Sequence, residues 1–453
     1  MNVLIVGGGL VGSLAALLLG RRGYTVRLVE RRPDMRARGY SGGRSINLAL
    51  SDRGIRALER AGITDDILPL AIPMYGRMIH HEDSTLDFQP YGVAGQAIRS
   101  LSRGRLNLAL LDAADRLPNV TMEFEWRCIG VEPEIPAATF VHTASGEQRR
   151  IECDVLIGAD GAYSAVRDAL HYRDRYNYCQ EYLDYGYKEL SIPAADGGGF
   201  RIEPNALHIW PRHSFMMIAL PNPEGTFTCT LFLPFEGETS FERLRTSADV
   251  RAFFERYFPD AIPHMPTLLE DFEHNPTSSL VTIRCYPWVV GRTVLIGDAA
   301  HAIVPFYGQG MNAGFEDCRI LDELLDRFGD DWDAALAEYQ RVRKPAGDAV
   351  AQLALDNFVE MRDKVADHLF VLRKKIEVLL LEHFPDLYTP LYTLVTFTPE
   401  VPYDEAYRRG QANERVIAEI MALPDIAARW DDPAMLPIYR EILEHHFPLN
   451  DRA

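Results

Sequence analysis

The sequence predicts a mixed α/β fold. A parallel-sheet domain is split along the chain, an antiparallel β-sheet domain is inserted into it, and a helical domain follows. Three observations predict this. Short β-branched apolar runs, each ending in a glycine-bearing turn and followed by a helical pattern, begin near residues 3, 154 and 293. From about 175 to 275 the pattern becomes closely spaced strands punctuated by Pro and Gly. From about 313 onward it is helical.

The first run, Val3-Leu4-Ile5-Val6, suits a buried parallel strand. Gly7, Gly9 and Gly12 follow with G-x-G-x-x-G spacing and enclose Leu10 and Val11. The first glycine permits the tight turn, the second lets backbone approach a pyrophosphate, and the third lets the helix pack on the sheet. Ser13 to Leu19 reads as the helix whose N-terminus faces the phosphates. The second strand, Thr25 to Val29, ends at Glu30, the offset of a carboxylate that bonds a ribose hydroxyl. The domain is therefore Rossmann-like and holds a dinucleotide; with the two segments that follow, the order and spacing point to FAD. A secretory leader is the competing reading of Val3 to Gly20, but only Met1 and Asn2 precede the apolar run and neither is basic.

Two further segments repeat the logic. Asp154 to Ile157 reads as a strand leading into Asp160-Gly161 and a helix near Ser164 to Leu170. Asp160 either caps that helix or faces the cofactor; spacing leaves both open. Thr293 to Ile296 ends in Gly297-Asp298, a carboxylate at the C-terminal edge of a strand, where α/β sheets bind ligands. The segment Pro305 to Asn312 follows; its glycines bring backbone N–H groups near a flat ring, where they stabilise charge that develops on a carbonyl oxygen.

The inserted sheet is read from strands at Gly186 to Ile192, Ala206 to Trp210, Phe215 to Leu220 and Phe227 to Leu233, a meander expected to be antiparallel. Alternation puts Ile218 and Leu220 on one face, with Phe232 beside them. That face is either core or an apolar wall for an aromatic substrate. The expected domains are 1–75, 100–175 and 276–345 for the FAD-binding domain, 76–99 and 176–275 for the β-sheet substrate domain, and 346–453 for the helical cap.

Composition excludes several classes. The 453 residues allow two or three domains, and 47% hydrophobic content suits a large core. Net charge is −18, from 47 basic and 65 acidic residues, which argues against nucleic acid or an anionic membrane as partner. Residues 1–60 depart from this, with eleven Arg against four acids, a balance that favours phosphates. The six cysteines form no C-x-x-C pair and the thirteen His form no H-E-x-x-H, so no metal site or disulfide framework is indicated. A reduced cytoplasmic setting is expected. No later stretch offers 18 uninterrupted apolar residues; Ile376 to Leu381 is interrupted by Glu377 and preceded by Arg373, Lys374 and Lys375.

The three glycine segments together resemble the single-component flavoprotein aromatic hydroxylases. The likeness is closest to the members that hydroxylate L-kynurenine. It is carried by Gly43-Arg44-Ser45-Ile46-Asn47-Leu48-Ala49-Leu50-Ser51, Gly76-Arg77-Met78-Ile79-His80, Pro204 to Pro211 and Tyr392 to Phe397, and covers residues 1 to about 410. The resemblance implies an FAD-dependent monooxygenase that consumes NADPH and O2 and delivers oxygen from a flavin C4a-hydroperoxide. It implies that Arg77, Tyr91, Asn357 and Tyr392 hold the amino-acid carboxylate of L-kynurenine, and that Leu207, Ile218, Leu220, Phe232, Pro305, Phe306 and Met361 surround its aniline ring. It implies flavin contacts at Gly7, Gly9, Leu10, Val11, Gly12, Glu30, Arg31, Ala49, Arg103, Cys128, Asp298, Gly310, Met311 and Asn312. No protein base is implied. Tyr307 departs from the family, which has His or Phe there, and is assigned no role. The charged tail ending at Ala453 stands where mitochondrial members continue into a membrane anchor, so no anchor is expected.

A reductase that never uses oxygen would share the flavin motifs and differ in the pocket. A flavin halogenase would carry W-x-W-x-I-P, and Trp126, Trp210, Trp288, Trp332 and Trp430 include no such pair. A flavin-stabilised binding module would hold flavin yet oxidise no NADPH.

Overall fold

The computed structural model describes residues 1–37, 47–364 and 367–447. The quoted residues Gly43 to Ile46 and the tail 448–453 lie outside them. Within the described residues the parallel sheet, with one short antiparallel strand at its edge, has six strands in the order Val289–Val290, Thr293–Leu295, Val155–Gly158, Asn2–Val6, Thr25–Val29, Val120–Glu123. Val3 pairs with Val155 on one side and Val26 on the other. Both strand neighbours are parallel, so the strand has no solvent face, and Val3 to Val6 are buried throughout. Each such side chain contributes about 1.5–3 kcal/mol of apolar burial. The helix Leu10–Arg21 packs on this sheet. Leu10 and every residue from Gly12 to Gly20 along it are buried, which is why it is apolar all round.

The second large sheet has seven strands in the order Ser278–Tyr286, Asn177–Ile192, Phe227–Pro234, Phe215–Pro221, Ala206–Arg212, Gly76–His80, Leu86–Pro90. The expected meander is present, but the sheet is mixed. Ala206 to Ile209 run parallel to Gly76 to Ile79, because these strands come from two separate insertions. The strand Ser278–Tyr286, expected in the FAD-binding domain, pairs with Asn177–Ile192 instead, so the chain returns to the parallel sheet only after it has closed the edge of the large sheet.

The region to residue 275 also holds two helices that the strand pattern concealed, Ser247–Tyr257 and Leu268–His274. The first opens with a reciprocal cap between Thr246 and Asp249. They cover one face of the large sheet, where Trp210, Phe215, Met217, Leu231 and Leu233 pack against Phe253, Phe254 and Phe258. Met216, Ile218 and Phe232 point the other way. The alternation therefore resolves the open reading: Ile218, Leu220 and Phe232 face away from the two-helix layer and line a cavity.

Helices Gly310–Arg327 and Trp332–Val359, the latter containing Pro345, lead to the C-terminal helices. Leu391–Thr396 begins directly after Pro390. Among the described residues no helix is long and apolar enough to cross a membrane.

Candidate flavin and substrate site

One cavity of about 600 Å³ lies between the parallel sheet, the large sheet and the C-terminal helices. Its volume suits a cofactor or small-molecule site. Its cofactor end is built by the turn after the first strand. Gly7 has φ +107°, and a Cβ there would meet Ala159 O at 2.5 Å; one on Gly12 would meet Gly7 O at 1.9 Å. A Cβ on Gly9 would meet nothing within 4 Å, because Gly9 borders the open space. Two glycines thus close the packing of helix on strand, and the third exposes backbone to a ligand.

Glu30, buried at the end of the second strand, accepts from Gly8 N at 2.7 Å and from Arg32 N and Nε at 2.9 and 2.8 Å. Burial alone raises its carboxyl; the Arg32 bonds and charge outweigh it and hold the group below the usual carboxylate range. Arg31, Ala49, Arg103, Cys128, Asp298, Gly310 and Met311 also border this cavity. Burial pushes the Cys128 thiol up to about 12, so it is an inert thiol there. Asp298 is exposed to the cavity at the start of a short helix. The helix Gly310–Arg327 opens onto the cavity, and the N–H groups of its first turn have no acceptor inside the helix. A glycine cradle, an acid at the ribose offset and N–H donors at a ring edge fit FAD.

Two expected flavin contacts are placed differently. Gly12 lies behind the cradle, against Gly7, and does not line the cavity. The Asn312 side chain is fully buried; it donates to Ala49 O and Gly308 O, both at 2.8 Å, and accepts from Ser51 N at 3.0 Å. It braces the strand and loop beside the cavity. Asp160, left open by spacing, accepts from Ser164 Oγ, Ala165 N and Val166 N; it caps the helix Ala165–His171, while still bordering the cavity.

The other end is built by the large sheet and the C-terminal helices. All eleven residues expected around the substrate line this one cavity: Arg77, Tyr91, Asn357 and Tyr392, with Leu207, Ile218, Leu220, Phe232, Pro305, Phe306 and Met361. Arg77 comes from the strand Gly76–His80 and is 8% exposed. Its guanidinium carbon lies 5.2 Å from the Tyr392 ring centre and 5.8 Å from that of Tyr91. The two tyrosines stack at 4.9 Å, and Tyr392 stacks on Tyr307 at 5.6 Å. Burial works against the Arg77 charge, but Glu360 and the tyrosines more than offset it and hold the group above its usual range. Burial pushes the Tyr91, Tyr307 and Tyr392 phenols up, so all three remain neutral donors. Among the described residues the buried Tyr91 hydroxyl makes no hydrogen bond of good geometry, although Tyr392 and Arg77 lie close to it. An unsatisfied buried donor beside a buried cation fits an anionic ligand group.

Asn357 Nδ2 donates to Phe306 O at 2.7 Å, which ties the long helix to the wall of the ring chamber. The residues Arg77, Tyr91, Tyr307, Asn357 and Tyr392 also border a second cavity of about 320 Å³ and form the partition between the two. Sequence reasoning missed Glu360, whose Oε1 lies 3.6 Å from Arg77. Its spacing of three from Asn357 and one from Met361 was the available signal. It also left Tyr307 without a place; the ring is buried in the partition.

A dinucleotide cradle opening into an apolar chamber with a cationic end defines a flavin-dependent aromatic hydroxylase. The FAD binding domain family model matches residues 1–354. The chain is 47% identical to a kynurenine 3-monooxygenase of Christiangramia forsetii, over 95% of this chain and 96% of that one. It is 49% identical to one of Myxococcus xanthus (92% and 90%) and 44% identical to one of Sus scrofa (92% and 88%). The chain belongs to the kynurenine 3-monooxygenase family. Solved structures of the same fold include 2-methyl-3-hydroxypyridine-5-carboxylic acid oxygenase (TM-score 0.65, 22% identity, 84% of this chain and 97% of that one). Another is PqsL, a probable FAD-dependent monooxygenase from Pseudomonas aeruginosa (TM-score 0.65, 22% identity, 80% and 97%).

Proposed function

We propose that this chain converts L-kynurenine, O2, NADPH and a proton to 3-hydroxy-L-kynurenine, NADP+ and water. The observation that carries the reading is a single cavity joining the glycine cradle to a buried arginine framed by tyrosines. Bound FAD supplies the redox chemistry, accepting hydride from NADPH and, once reduced, activating O2 for transfer of one atom.

The protein's part is to hold and to exclude. Gly9 presents backbone to the pyrophosphate and Glu30 meets the ribose. The first turn of Gly310–Arg327 donates N–H groups to the ring carbonyl edge. Arg77 takes the substrate carboxylate through its planar fork, and Tyr91 and Tyr392 add neutral donors. With the carboxylate fixed, the aniline ring lies among Leu207, Ile218, Leu220, Phe232, Pro305, Phe306 and Met361. These side chains offer no competing polar group, so the ring is oriented by shape and water is kept from the reacting centre. No protein base is assigned, and the partition tyrosines stay protonated.

The test is incubation with NADPH, O2 and L-kynurenine followed by mass spectrometry. A product heavier by one oxygen is expected; NADPH oxidation with no oxygenated product refutes the reading. NADPH reduction of the flavin is also expected to accelerate when L-kynurenine is present, measured by stopped flow.

A further inference from the structure

We propose that Arg53 is the positioning residue for Tyr392, so that a cation buried outside the cavity sets the geometry of the substrate clamp. This rests on the reading of Tyr392 as a substrate donor.

Tyr392 is the second residue of the helix Leu391–Thr396. Six residues are too few for a helix to hold itself, because one costly nucleus is repaid by few bonds. Its N-cap is Pro390, with no side-chain cap bond. Its C-terminal carbonyls have no partner inside the helix. Arg53 meets that need. Its Nε donates to Val395 O at 2.5 Å, and its Nη2 donates to Leu394 O at 3.1 Å and Val401 O at 2.5 Å. The guanidinium therefore grips both the end of the helix and the chain that leaves it. A positive charge at a helix C-terminus is favourable in its own right.

Arg53 is itself held from three sides. Its side chain is fully buried, its guanidinium carbon lies 4.1 Å from the Tyr403 ring centre, and its Nη1 donates to Glu316 Oε1 at 2.9 Å. Glu316 also accepts from Arg343 Nη1 at 2.6 Å. Glu316 sits on Gly310–Arg327, the helix whose first turn faces the flavin end of the cavity. Arg53 thus references the Tyr392 helix to the helix that borders the cofactor. Tyr392 stacks on both Tyr91 and Tyr307, so a rotation of the short helix would shift the whole partition. A lysine could not replace the fork, since its donors radiate from one point.

The experiment combines Arg53→Lys and Arg53→Gln with Tyr392→Phe, singly and as double variants of the FAD-loaded protein. L-kynurenine affinity is read from the flavin absorbance shift, flavin affinity is measured separately, and product is compared with NADPH consumed. Each Arg53 variant is expected to weaken L-kynurenine binding about tenfold or more while flavin affinity stays within about twofold. Groups coupled through a shared backbone are non-additive. The effect of Tyr392→Phe is accordingly expected to shrink by about threefold or more once Arg53 is altered, with a smaller share of NADPH yielding product. Equal effects of Tyr392→Phe in both backgrounds would overturn the proposal, as would unchanged substrate affinity, or flavin lost in step with substrate. No absorbance shift with the wild-type protein would overturn the substrate reading and this inference with it.

Discussion

Arg77→Met removes the charge of the clamp while keeping a side chain of similar length beside the two stacked tyrosine rings. Arg77 is nearly buried, so a substrate carboxylate that reaches it is desolvated too. Truncating one partner of such a pair costs about 2–5 kcal/mol. The structure puts this case toward the lower end. Glu360 stands 3.6 Å from the guanidinium before substrate arrives, so part of the electrostatic gain already exists in the free enzyme. A loss of about 2–3 kcal/mol corresponds to roughly 30- to 150-fold in dissociation constant. Flavin affinity is expected to remain, because Arg77 stands on the large sheet and the cradle on the parallel one. The assay is titration of L-kynurenine against the flavin absorbance of the variant. Arg77→Lys, which keeps charge but loses the fork, is expected to fall between wild type and Met. A Met variant that binds L-kynurenine within about threefold of wild type would refute the assignment of Arg77 to the carboxylate.

Other outcomes follow from the same geometry. Gly12→Ala places a methyl 1.9 Å from Gly7 O, a backbone atom that cannot move aside, so this protein is expected to carry little or no flavin by absorbance. Asp298→Ala, at the cavity edge, is expected to yield folded protein with weakened flavin retention, measured by dialysis and unchanged circular dichroism. Asp317 is fully buried; burial raises its carboxyl, but His301 and Arg343 outweigh this and lower it to about 2. A depressed folded-state value stabilises above the unfolded value and is lost as pH falls through the folded one. That contribution, about 2 kcal/mol, is therefore expected to disappear between about pH 4 and pH 2. Asp317→Asn should be less stable than wild type at pH 7 in denaturant unfolding, and the gap should narrow across that acid window.

Local features were legible in the sequence because their physics is local. The spacing of Gly7, Gly9 and Gly12 carries its own turn geometry, and the strand Thr25–Val29 delivers Glu30 to the cavity edge by length alone. Closely spaced runs punctuated by Pro and Gly located the strands from Ala206 to Pro234. Where a reading depended on a distant partner, it stayed open or went astray. Asp160 could serve a helix or a ligand until Ser164, Ala165 and Val166 were seen to take its oxygens. The helix Ser247–Tyr257 hid behind a strand-rich neighbourhood, although the Thr246–Asp249 pair was a readable cap. That the Asn312 side chain braces Ala49 and Gly308 beside the cavity was likewise invisible in the sequence. Arg53 gave no sign of a role, since it grips Val395, 342 positions away; Glu360 had only its nearness to Asn357 and Met361 to mark it, because its partner Arg77 lies on a distant strand.

From its sequence alone, this protein was bound to have a nucleotide cradle, a split α/β domain, an inserted sheet and a helical end. Those follow from steric limits on glycine and from hydrophobic period, which neighbours in the chain enforce. Only the tertiary structure decided that Arg77, Tyr91, Asn357 and Tyr392 share one wall, that Ile218 and Phe232 face the cavity, and that Ser278–Tyr286 closes the large sheet. Those outcomes depend on which buried surfaces and polar groups find each other across hundreds of residues, and no short window of sequence carries that information.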